Sequence, residues 1–131
     1  MLDSIKLIMT RSIGSTIATT SLIVLCFTCF SLSAIAALQA PTASPATNIK
    51  NDSFTANWTS VAGATSYRLD VSKDVKFVTF VPGYSNVDVG GTSLLVKGLS
   101  CNDKYYYRVR SVDSNGQSEY SAIVTVQLCN R

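Results

Sequence analysis

The chain has 131 residues, enough for one domain, or for one domain behind a leader. It contains no His, which excludes His-based acid/base catalysis and His-ligated metal sites. Charged residues are 15% of the chain, and 11 Lys+Arg against 8 Asp+Glu leave +3, too weak a balance for a dedicated nucleic-acid binder.

The apolar residues gather at the start. Lys6 and Arg11 stand against Asp3, and no further charge appears until Lys50. Between them runs Leu22-Ile23-Val24-Leu25-Cys26-Phe27-Thr28-Cys29-Phe30, followed by small residues and Ala34-Ile35-Ala36. A positive start, an apolar centre and an A-x-A exit read as a secretory signal peptide over residues 1–36, preceding the domain as an apolar leader helix. Cleavage after Ala36 leaves 95 residues with 9 basic and 7 acidic side chains. The alternative is a retained anchor, because Ile17–Leu38 is 22 uncharged residues, long enough to cross a bilayer core. Lys6 and Arg11 would then stay on the cytoplasmic side. Neither Cys26 nor Cys29 follows the small residue that a lipid-attachment site needs. Both readings put the remainder outside the cytoplasm, secreted or at the cell surface, with membrane contact only through residues 17–38 if the leader stays.

Residues 37–47 read as a linker running into a first edge strand, where Pro41 and Pro45 are tolerated. Period-two alternation then takes over. Phe54, Ala56 and Trp58 alternate with Thr55 and Asn57, and Tyr67, Leu69 and Val71 alternate with Arg68 and Asp70. Pro82-Gly83 and Gly90-Gly91 punctuate a stretch holding Phe77, Phe80, Tyr84 and Val89. Leu94 and Val96 lead to Gly98-Leu99. Tyr105, Tyr107 and Val109 alternate with Tyr106, Arg108 and Arg110, Asn115-Gly116 is a turn dipeptide, and Val124, Val126 and Leu128 close the chain. No stretch after residue 40 keeps a 3.6-residue period. The pattern predicts an all-β, seven-stranded antiparallel β-sandwich over residues 40–131. Its core is expected to hold Trp58, Tyr67, Leu69, Leu99, Tyr105 and Val109, with Phe54, Ala56, Val71, Leu94, Val96, Tyr107, Val124 and Val126 also facing inward.

Residues 40–128 resemble a fibronectin type III domain, an immunoglobulin-like fold, in the form common in secreted bacterial proteins. Ser53-Phe54-Thr55-Ala56-Asn57-Trp58 is similar to the family's second strand, with Trp58 as its core tryptophan. Gly63 to Ser72 is similar to the third. Gly98-Leu99 and Tyr105 match the family's leucine and the tyrosine six residues on, which implies a tyrosine corner before the sixth strand. Cys101 and Asn102 depart from the proline and small residue often found there.

Two cysteines remain after the leader, Cys101 and Cys129, an even pair in an oxidising compartment. If Asn115-Gly116 is the hairpin turn, facing residues on the last two strands have numbers summing to about 231. The two cysteine numbers sum to 230, so they are expected to meet and form a disulfide. Two free thiols or a redox pair are the alternatives, the latter disfavoured because Cys101 and Cys129 do not form a C-x-x-C.

Nothing catalytic stands out. No Ser sits in a G-x-S-x-G frame, and Asp70, Asp74 and Asp88 read as turn and edge charges. Asp113-Ser114-Asn115-Gly116 hints at a calcium loop but lacks the distal Glu, since Glu119 is too close. No metal or cofactor is expected. Asn51-Asp52-Ser53 and Asn57-Trp58-Thr59 fit the glycosylation sequon and are treated as chance. Alternation does place Arg68, Asp70, Tyr106, Arg108 and Arg110 on the outside of one sheet, and Tyr with Arg is the composition of interface hot spots. The plain alternative is a solvated face with cross-strand charge pairs. On this reading Tyr106 and Arg108 are dispensable for stability. The sequence therefore points to an exported, non-catalytic module for protein or polysaccharide binding, adhesion or spacing at the cell surface. The second reading is a membrane-anchored structural subunit held by its N-terminal segment or by strand addition at an open sheet edge.

Overall fold

A computed structural model describes residues 36–129, and the leader helix expected over residues 1–36 lies, but for Ala36, outside the described residues. Eight strands follow one another: β1 (Ala43–Thr47), β2 (Phe54–Trp58), β3 (Ser66–Ser72), β4 (Val87–Val89), β5 (Ser93–Val96), β6 (Lys104–Asp113), β7 (Gly116–Gln117) and β8 (Val124–Gln127). They form an antiparallel three-stranded sheet ordered β1-β2-β5 and a five-stranded sheet in which β4, β3 and β6 are consecutive and both β7 and β8 pair with β6. Among the described residues there is no helix.

Period-two alternation is what turns these segments into strands that bury one face. Phe54 and Ala56 on β2, Leu69 and Val71 on β3, and Tyr107 and Val109 on β6 have no exposed surface, and Trp58, Tyr67, Tyr105 and Leu99 are buried with them. The Phe54 and Tyr107 rings meet across the sandwich at 5.8 Å, as do those of Trp58 and Tyr67. Leu94 and Val124 are only partly buried at the margin, whereas Phe77, Val81, Val89 and Leu128 are buried as well.

Two irregularities have local causes. Pro45 sits in the edge strand β1 and has no N–H to give, and the β1–β2 register slips between Ser44 and Thr47. The strand expected to end the chain is broken in two, which makes eight strands rather than seven. Opposite β6, partner numbers sum to 229 along β7 and to 231 along β8, so the chain bulges between them. Serines bridge the gap. Ser111 N–H donates to Ser118 Oγ at 3.0 Å, and Val109 N–H donates to Ser121 Oγ at 3.1 Å.

The corner before β6 is closed by a tyrosine. Ser100 N–H donates to the Tyr105 hydroxyl at 2.8 Å, and the backbone at Gly98 takes a φ of 75°, which glycine adopts without Cβ strain. Cys101 and Cys129 are joined by a disulfide with their Cα atoms 5.4 Å apart, tying this corner to the end of β8.

Candidate functional site

The outer face of the five-stranded sheet gathers the Arg and Tyr residues singled out by alternation. On β6 the outward file is Tyr106, Arg108 and Arg110, and on β3 it is Arg68 and Asp70. Register sets their neighbours: Asp70 lies opposite Arg108, Arg68 opposite Arg110, and Tyr106 opposite Ser72.

Asp70 does not stand in solvent, contrary to what alternation predicts. It is 2% exposed. Its carboxylate accepts from Arg108 Nε at 3.1 Å, lies 3.1 Å from Arg108 Nη2, and accepts from Asn86 N–H at 2.7 Å. The pair is covered by aromatic rings. The Arg108 guanidinium carbon is 4.2 Å from the Phe77 centroid and 3.7 Å from that of Tyr120. Cation–π contact of this kind strengthens as water is excluded. Two segments supply the cover. The β3–β4 connection folds Phe77 inward, at a φ of 54° that is unusual for a bulky residue. The bulge between β7 and β8 swings Tyr120 over the sheet. Burial, and then the Asp70 carboxylate, push the Tyr120 phenol above its ordinary range, while the two arginines pull the other way.

Arg68 and Arg110 are placed differently. Their strand positions face each other across the ladder, and like charges so opposed destabilise a sheet. Arg110 Nη2 donates to Asn86 Oδ1 at 3.0 Å and Arg68 Nη1 to Asn86 O at 3.4 Å. Arg110 also lies over the Tyr120 ring, at 4.6 Å. The nearest carboxylate to Arg68 is Asp88, at 3.9 Å and largely exposed. Arg110 has no carboxylate partner among the described residues, and the Nε atoms of both arginines are buried without a hydrogen-bond partner. Tyr106, Arg68 and Arg110 remain part-exposed. This face therefore holds one neutralised, covered pair beside two arginines with an incomplete set of anionic partners.

The Asp113 loop is explained without a metal. Its Oδ1 accepts from Asn115 N–H at 2.7 Å and Gly116 N–H at 2.9 Å, a side-chain-closed turn. Among the described residues no three His, Cys, Asp or Glu side chains come together as a metal site.

Two packed antiparallel sheets with a tyrosine corner before β6 define an immunoglobulin-like β-sandwich. The fibronectin type III domain model matches residues 39–127, and the chain belongs to that family. Its domains serve generally as binding or structural modules and are generally not catalytic. No curated protein matches the sequence. Among solved structures, an Fn3-like protein from Clostridium thermocellum is 22% identical with a TM-score of 0.60, over 73% of this chain and 98% of that one. The sixth fibronectin type III domain of human fibronectin type III domain containing protein 3 is 20% identical with a TM-score of 0.61, over 76% and 92%. A β-1,2-glucanase from Parabacteroides distasonis is 22% identical with a TM-score of 0.58, matching 78% of this chain but 14% of its own. At these identities the likeness is one of fold.

Proposed function

We propose that this protein is an exported, non-catalytic module that captures a protein or polysaccharide at the cell surface through the outer face of its five-stranded sheet. The observation that carries the reading is the Arg68–Arg110 apposition. Within the described domain Asp70 is committed to Arg108, and Asp88 reaches only toward Arg68, so the positive charge at Arg110 meets an amide oxygen and the Tyr120 ring but no carboxylate. A carboxylate supplied by a partner completes the set, and Tyr106 offers flat apolar area beside it. Export rests on the charged start, apolar centre and A-x-A exit of residues 1–36.

A second reading, a membrane-anchored structural subunit, is favoured by the uncharged run Ile17–Leu38. The mature N-terminus separates the two. A chain beginning at Ala37 in the medium supports the soluble module, and a full-length chain in the membrane fraction supports the anchored one. The binding face is tested by a glycan array and a pull-down with residues 37–131, comparing wild type with Arg110→Glu and Tyr106→Ala. Capture lost in both variants at unchanged melting temperature supports the face, and capture kept by both refutes it.

A further inference from the structure

The sandwich has an apolar, basic end on the connections beyond the arginine face, one of which also supplies Phe77 to that face. Six large hydrophobic side chains are conspicuously exposed in the described domain, and four lie here. Val75 (49%), Val78 (74%) and Phe80 (38%) are on the β3–β4 connection, and Ile49 (50%) is on the β1–β2 connection. The β5–β6 connection joins the two, because Leu99 N–H donates to Asp52 O at 3.0 Å. It also faces the β3–β4 connection across a cleft of about 250 Å³ lined by Lys73, Phe80, Pro82, Gly98, Ser100 and Tyr105.

The exposed valines stand on a built turn. Asp74 accepts from Lys76 N–H at 3.0 Å and Val78 N–H at 3.2 Å through its carboxylate, and from Phe77 N–H at 3.0 Å through its carbonyl. Ser72 Oγ donates to Thr79 O, and Val81 N–H donates to Val71 O at 2.8 Å. These bonds turn Phe77 into the fold and leave Val75 and Val78 outside it. On the connections and strand start at this end, Lys50, Lys76, Lys97 and Lys104 are exposed and have no carboxylate partner among the described residues. Of the described lysines only Lys73 is paired, with Asp103 at 2.6 Å.

We infer that this end docks on an anionic lipid surface, with Val75 and Val78 entering the headgroup boundary and the lysines meeting lipid phosphates. Aliphatic tips that stand out separately suit a fluid interface better than a partner's fixed groove. Compact lysine charges suit dispersed phosphates where bidentate recognition would call for arginine. The described N-terminal residues leave from the opposite end, where Thr42 N–H donates to Thr59 Oγ1, so they do not cover the tip. The inference uses none of Arg68, Tyr106, Arg108 or Arg110, although the β3–β4 connection also carries Phe77 over Arg108.

The test is co-sedimentation of residues 37–131, which carry the whole core, with phosphatidylcholine vesicles with and without phosphatidylglycerol. Binding is expected only to the anionic vesicles. Val75→Asp with Val78→Asp weakens it by at least about tenfold, and Lys76→Glu by about fivefold or more. Leu95→Asp, at an exposed apolar site on the sheet edge, leaves it unchanged. Far-UV circular dichroism and melting confirm that each variant is folded. No binding to anionic vesicles overturns the inference. So does binding that survives the double valine change, or that Leu95→Asp weakens equally.

Discussion

Asp70→Asn isolates the buried pair on the outer face with the smallest change in shape. The wild-type carboxylate takes three N–H donors at 2.7–3.1 Å while 2% exposed. Asparagine keeps one carbonyl oxygen and turns an NH₂ toward either Arg108 or Asn86 N–H, donor against donor. Breaking a buried ion pair from one side costs about 3–5 kcal/mol. The Arg108 side chain is 24% exposed, so part of its stranded charge regains water, which places the cost near the lower figure. About 3 kcal/mol lowers the melting temperature of a domain this size by roughly 12–24 °C. The assay is thermal unfolding followed by far-UV circular dichroism for Asp70→Asn, Arg108→Met and the double variant. Methionine keeps an unbranched chain against Phe77 and Tyr120 without a charge, so the double variant is expected to recover at least half of the single loss. A single variant that melts with the wild type refutes the buried-pair argument. Strict additivity of the two changes refutes it equally.

Four further outcomes are expected. Replacing Cys101 and Cys129 by Ser opens a link across 28 residues, which in the chain-entropy model removes about 3.5 kcal/mol, read as a lower melting temperature that reductant no longer changes. Trp58→Ala costs about 3–5 kcal/mol and leaves the domain largely unfolded at ambient temperature by circular dichroism. Tyr105→Phe removes the acceptor for Ser100 N–H and lowers stability by about 1 kcal/mol in urea unfolding. Burial raises the phenols of Tyr107 and Tyr120, so above the ordinary tyrosine range the unfolded chain ionises first and binds fewer protons than the native one. The stability that these two contribute is present at neutral pH and falls as pH rises past about 10. Spectrophotometric titration that finds all six tyrosines ionising together would contradict this.

Much of the sandwich was legible because burial there repeats every second residue. Trp58, Tyr105 and Val109 sit where burial alternates without a break, and Tyr67 and Leu69 sit on β3, where it alternates up to Asp70. The meeting of Cys101 with Cys129 was legible for a related reason, since a hairpin turn brings the far ends of its strands together, although the register sums to 229 at the turn and the bulge moves it to 231 along β8, either side of the cysteine sum. The outer face was read less well. Alternation says which way a side chain leaves the sheet and nothing about what lies over it. Phe77 and Tyr120 come from aperiodic segments whose courses are set by side-chain bonds to the backbone. Asp74 and Ser72 shape one, and Ser118 and Ser121 shape the other. The Ser-x-Asp before Phe77 and the two serines flanking Glu119-Tyr120 were the available signals, but each is common in ordinary loops. The eighth strand was hidden for the same reason, because a serine-bridged bulge has no signature in hydrophobic period.

Three arginines that alternate identically in the sequence thus do different work. Arg108 has a buried carboxylate and two aromatic rings against it, so its guanidinium belongs to a packed layer although it leaves the sheet on the solvent side. Alternation alone made Arg108 dispensable for stability, and its contacts reverse that expectation. Arg110 shares the Tyr120 ring but has an amide where Arg108 has a carboxylate, and Arg68 has a carboxylate just beyond hydrogen-bond reach. Removing either relieves a like-charge apposition and strands no anion at Asp70. Arg110→Met is therefore expected to hold or raise the melting temperature while weakening capture of an acidic ligand. A binding defect in Arg108→Met is ambiguous, since that change disturbs the layer carrying Tyr120. A loss of capture on Arg110→Met without loss of stability assigns the arginine to recognition. A destabilised Arg110→Met returns the whole face to a structural role.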